Sequence, residues 1–138
     1  MSNKRYNLEI QIGAMRNLYP GFQALRKSVT EVLFRGNLLV KPEMPVYKVS
    51  VLYRGSKSPL VKVIKPELVD NAPHIYPGSS TLCLYHPRNY KWKRENLVAR
   101  EIMGWTTAWI YFYEVWLQKG KWYGPEAPHD IEKKQENE

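Results

Sequence analysis

The chain has 138 residues, enough for one domain of ordinary size and too few for a second. Hydrophobic residues make up 43% and charged residues 25%, which excludes disorder of the whole chain; the single cysteine excludes a disulfide framework, a four-cysteine zinc site and a CxxC redox motif. The net charge of +8 is uneven: residues 126–138 hold five acidic and two basic residues, which leaves +11 on the first 125. A body this basic suits nucleic acid, an acidic protein surface or a nucleotide-handling enzyme, or it serves solubility alone.

Leu8, Ile12, Met15 and Leu18 follow helical spacing and predict a short N-terminal helix that ends at Tyr19-Pro20-Gly21. Val29–Val40 is rich in large apolar and β-branched residues and carries Gly36-Asn37, so it reads as a strand with a bend or a strand running into a turn. Val46–Tyr53 alternates cleanly, with Tyr47, Val49, Val51 and Tyr53 on one face. A turn over Arg54–Pro59 leads to a third strand, Leu60–Lys65, closed by Pro66. Three strands joined by short turns predict an antiparallel meander.

Leu68–Lys93 is long, has prolines at 73, 77 and 87, and contains the cysteine; loops of that length in compact domains are usually functional. Asn96 is the expected cap of a helix over Leu97–Lys119, which Gly120 ends. Its stripe of Ile102, Trp105, Trp109, Phe112 and Trp116 should pack on the sheet as an aromatic core face. Lys121–Pro128 should fold back over the domain, and His129–Glu138 is expected to be disordered. The polar start Met1–Asn7 has no signal-peptide character, and Ile102–Gln118 is too short for a comfortable membrane span. The expectation is a cytoplasmic protein without a membrane partner.

Cys83 is the centre of the chemical reading. Leu82 and Leu84 flank it and would anchor the backbone on the core, which points the thiol the other way and leaves it at least partly exposed. Arg88, Lys91, Lys93 and Arg94 would favour the thiolate. The residues alone leave open an inert buried thiol. His74 and His86 flank it in sequence, and either could activate the thiol or simply structure the loop. A metal set of His74, Cys83 and His86 lacks a fourth ligand, so neither metal nor cofactor is expected. Tyr85, Arg88, Tyr90, Lys91, Trp92, Lys93 and Arg94 could stack bases and hold phosphates, but no nucleic-acid-binding signature accompanies them. The chain has no GxxxxGK[ST], GxGxxG or GxSxG, which argues against carboxylate activation by ATP within it.

The order of elements resembles the ubiquitin-conjugating-enzyme (UBC) fold from Leu8 to Gly120. That is an α/β fold of the α+β type, an antiparallel β-meander flanked by an N-terminal helix and a main C-terminal helix. Pro73-His74-Ile75 takes the place of the family's His-Pro-Asn element, and Ser80-Thr81-Leu82-Cys83-Leu84 that of its nucleophile segment. The run from Pro73-His74-Ile75-Tyr76-Pro77 to Leu82-Cys83-Leu84-Tyr85-His86-Pro87 is closer still to stand-alone bacterial members from CBASS antiphage operons. So are Trp105-Thr106 with Trp109, Tyr113-Glu114-Val115-Trp116, and Gly120-Lys121-Trp122-Tyr123-Gly124-Pro125-Glu126.

The resemblance implies a conjugating domain over 1–125 with an acidic, flexible tail over 126–138. It also implies a cysteine acyl transferase. Cys83 would take the C-terminal carboxyl group of a partner, the cGAS-like nucleotidyltransferase of the operon, as a thioester. A separate activating enzyme would be a further partner. The family's asparagine has no match, since Ile75 stands there, and His74 is its candidate substitute. The rival readings are a non-catalytic UBC-like scaffold and a basic nucleic-acid-binding domain.

Overall fold

The computed structural model describes residues 3–85 and 90–125. Helix α1 (Asn3–Leu18) is followed by strands β1 (Gln23–Arg26), β2 (Val32–Leu38), β3 (Tyr47–Arg54) and β4 (Lys57–Lys65). These form one antiparallel sheet in the order β1-β2-β3-β4. A small hairpin, β5 (Ile75–Tyr76) and β6 (Thr81–Leu82), comes next. A π-helical turn (Val98–Ile102) then runs into α2 (Met103–Lys119). This is the expected UBC-like architecture: a meander with a helix before it and a main helix after it.

The alternation in β3 sets the core. Tyr47, Val49, Val51 and Tyr53 are all buried, and Phe34 of β2 and Val61 of β4 lie directly across from Val51. Leu8, Ile12 and Met15 of α1 close the same cluster, while Leu18 is exposed. From α2, Tyr113 meets the Tyr47 ring edge-on at 6.5 Å, and the Tyr47 hydroxyl donates to Glu114.

Several local expectations need correction. β2 does not bend at Gly36-Asn37 but pairs through it, Gly36 opposite Val49. Glycine is needed there because a Cβ would sit 2.5 Å from Cδ1 of Phe22, whose ring lies over the strand. β4 begins at Lys57, and Pro59 lies inside it; β4 is an edge strand with a register shift between Leu52 and Arg54, where proline removes no needed ladder bond.

The buried face of α2 is Met103, Thr106, Trp109, Ile110 and Tyr113, so Trp105, Phe112 and Trp116 sit on its half-buried flank. The buried line runs through Thr106, whose hydroxyl donates to the Ile102 carbonyl at 2.8 Å, a polar residue that a count of apolar positions passes over. Nor is Asn96 the cap. Its Nδ2 donates to the Tyr90 hydroxyl at 2.7 Å, and Gln11 of α1 does the capping. The Gln11 Oε1 accepts the Val98 N–H at 3.0 Å, and its Nε2 donates to the carbonyls of Asn96 and Arg94. Gly120 ends α2 as expected, in left-handed conformation (φ 72°) with its N–H on the Trp116 carbonyl. The acidic segment from Glu126 onward lies outside the described residues. Among the described residues, no helix is long and apolar enough to cross a membrane.

Candidate active site

The site is built on the β5–β6 hairpin. Ile75 pairs with Leu82 and Tyr76 with Thr81. The connection Pro77–Ser80 is closed by the Ser80 N–H on the Tyr76 carbonyl at 2.8 Å, with Ser80 at a φ of 61°. The Ser79 and Thr81 hydroxyls bond at 2.7 Å beneath it. Pro77-Gly78 is the turn chemistry such a connection needs.

The next rung of the ladder brings Cys83 to His74. The Cys83 N–H donates to the His74 carbonyl at 2.9 Å. The indole N–H of Trp109 donates to that same oxygen at 3.2 Å, so the start of the hairpin is tied to α2. His74 has a φ of 57°, a conformation that histidine adopts more readily than most residues but still at a cost of about 1–3 kcal/mol. Its buried imidazole packs edge-on against Trp122, ring centroids 4.5 Å apart, and Trp122 in turn lies against Trp109 and Phe112. The segment after α2 therefore folds back over the site, as far as Pro125, as expected.

Leu82 is in the core cluster and Leu84 packs half-buried against it, as their anchoring role requires. The expected exposure does not follow: Cys83 is only 6% exposed. The hydroxyl of Tyr76, a residue that is itself exposed, is its hydrogen-bond partner. Burial, and then this bond to Cys83, pushes the Tyr76 phenol up to about 12. Tyr76 therefore stays a neutral hydrogen-bond donor across the physiological range.

Tyr76 is the residue that reading along the chain missed. A hairpin inferred from Pro77-Gly78 would have placed it across from Thr81, on the face that Cys83 shares. Beside it, a cleft of about 270 Å³ opens between β4 and the hairpin, lined by Pro59, Leu60, Tyr76, Leu82, Leu84 and Tyr85 among others. Tyr85 and Tyr90 both rest on Trp105, at 5.1 and 4.9 Å, which anchors the chain on either side of residues 86–89.

The structure thus brings His74, Tyr76 and Cys83 together. His86 and Arg88 lie outside the described residues. Among the described residues, no group of three His, Cys, Asp or Glu side chains is arranged to hold a metal ion.

A search of curated proteins finds no match for this sequence. Residues 11–130 match the family described as Type II CBASS E2 protein, a span that takes in the sheet, the hairpin with Cys83, and α2. With that match over most of its length, the chain belongs to the E2 protein family of type II CBASS.

Proposed function

We propose that Cys83 forms a thioester with the C-terminal carboxyl group of a partner protein, and that the partner is the cGAS-like nucleotidyltransferase of the same operon. The observation that carries this reading is the Cys83 thiol with the Tyr76 hydroxyl on it, on a hairpin locked by His74 and Trp109, in an E2 family chain. The carboxyl group arrives activated, as an acyl adenylate or a thioester on a separate activating enzyme. The Cys83 thiolate attacks the carbonyl carbon, the C–S bond forms, and AMP or the activating enzyme's thiolate departs. An acceptor amine then attacks that carbon and the Cys83 thiolate leaves.

In this reading the Tyr76 hydroxyl stabilises the thiolate before attack and again as it leaves. His74 is the second catalytic residue. Its carbonyl fixes the Cys83 backbone, and its imidazole serves as the acid–base group of the hairpin. The apolar cleft beside Tyr76 receives the last residues of the partner's tail.

The test mixes the protein, the neighbouring nucleotidyltransferase and an activating enzyme with ATP, then reads non-reducing gels and intact mass. A thiol-labile adduct in the native protein, a slower-reacting oxyester in Cys83→Ser and nothing in Cys83→Ala are the expected results. The near-closure of the thiol favours one rival, a UBC-like scaffold that binds its partner without catalysis. Full phage defence by Cys83→Ala, with no adduct in the native protein, would establish that rival.

A further inference from the structure

The turn between β3 and β4 carries a second feature, away from the thiol. A cavity of about 170 Å³ lies between this turn and the segment that leads into the π-helical turn. Arg54, Lys57 and Arg94 line it together with the hydroxyl residues Thr30 and Ser56, and no carboxylate does. None of the three cations takes part in an ion pair among the described residues. The Nη2 of Arg94 is buried and has no hydrogen-bond partner there.

The walls of this cavity are fixed. The Trp92 indole N–H donates to the Gly55 carbonyl at 2.9 Å, and the Tyr53 hydroxyl donates to the Arg94 carbonyl at 2.8 Å. The Tyr53 and Trp92 rings also meet edge-on at 6.4 Å. Both sides are therefore stitched together by bonds that leave the Lys57 and Arg94 side chains to the cavity. Arg54 is held by its Nε and Nη2 on the Ser58 carbonyl, so its charge is positioned rather than free to swing into solvent.

Three like charges around one small cavity repel one another, and a guanidinium N–H buried without an acceptor carries an uncompensated desolvation cost. An anion removes both penalties. The donors are guanidinium N–H, ammonium and hydroxyl groups, the set that recognises a tetrahedral oxyanion. We infer that the cavity between the β3–β4 turn and Arg94 is a binding site for a phosphate group. Its volume exceeds that of a phosphate, so the site also has room for part of a larger phosphoester.

Thermal unfolding of the full chain in phosphate, against sodium chloride at matched ionic strength, tests the site. Inorganic phosphate at 10 mM should raise Tm by about 3 °C or more over the chloride control. Arg94→Gln or Lys57→Gln should reduce that rise, and the double variant should abolish it. The ³¹P resonance of phosphate should broaden with the native chain and stay sharp with the double variant, a readout independent of stability. AMP matching or exceeding phosphate would identify a phosphomonoester as the ligand, and phosphate acting alone would identify the free ion. An equal rise in chloride, no rise at all, or an undiminished rise in the double variant would overturn the inference.

Discussion

Tyr76→Phe removes the hydroxyl from the Cys83 thiol and leaves the ring in place. A hydrogen bond to a charged group contributes about 1.5–3 kcal/mol, and 1.4 kcal/mol corresponds to one pH unit, so loss of this donor should raise the thiol pKa by about one to two units. The thiolate fraction at neutral pH should then fall by about tenfold or more. Cys83 is the one cysteine of the chain, so iodoacetamide labelling followed by intact mass reports on it alone. The pH dependence of the labelling rate should shift upward in Tyr76→Phe, with little change in the limiting rate at high pH. Tyr76→Ala should combine the same shift with a faster limiting rate, because it also removes the ring beside a thiol that is 6% exposed. An unshifted profile in Tyr76→Phe would refute the electrostatic role of Tyr76. This measurement needs no partner protein, so its outcome stands apart from whether a thioester forms.

Gln11→Glu keeps the acceptor for the Val98 N–H but sets a carboxylate against the carbonyls of Asn96 and Arg94; it should cost about 3 kcal/mol at pH 7 by urea denaturation. Its folded pKa would lie above the unfolded value, so the penalty should shrink as pH falls towards 4, and a pH-independent penalty would contradict the capping role. Tyr47 has its phenol pushed far up, first by burial and then by its bond to Glu114. The stability that it contributes is complete below pH 10 and lost above it at up to about 1.4 kcal/mol per pH unit, so Tyr47→Phe should unfold less steeply between pH 10 and 11 than the native chain. At His74, glycine suits a φ of 57° and keeps the carbonyl, so His74→Gly should fold within about 1 kcal/mol of wild type while adduct formation falls about a hundredfold. An unchanged adduct rate would reduce His74 to its backbone conformation.

What could be read along the chain was what neighbours in sequence decide. The alternation of Tyr47, Val49, Val51 and Tyr53 gave β3 and its buried face, and Gly120 marked the end of α2. β1 escaped because all four of its residues are exposed, so no apolar alternation marks it. The phase of α2 escaped because its buried line runs through Thr106, a polar residue that an apolar stripe passes over. The cap at Val98 escaped because Gln11 supplies it from 87 residues away. The site divides in the same way. Leu82 and Leu84 reveal that the backbone about Cys83 is anchored on the core, since that is a matter of their own apolar character. The burial of Cys83, its Tyr76 partner across a turn, and the packing of Trp109 and Trp122 about His74 are long-range, and no local pattern records them.

Those long-range contacts explain how so small an element can hold reactive geometry. Two paired strands of two residues each have no stability of their own in water. The hairpin persists because Ile75 and Leu82 join the core, because Trp109 reaches the His74 carbonyl from α2, and because Trp122 returns to pack on the imidazole. The left-handed conformation at His74 is held by these same contacts, and it directs the carbonyl to both the Cys83 N–H and the Trp109 indole. Loss of any one anchor therefore acts on the position of the sulfur before it acts on the sheet, whose β2–β3–β4 ladder has its own registers and its own buried face. Trp122→Ala separates the two. It should leave the main unfolding transition within about 1–2 kcal/mol of wild type, because Trp122 is half-buried at the edge of the core, yet speed labelling of Cys83 severalfold. Equal loss of stability and protection would mean that the hairpin opens only with the whole domain.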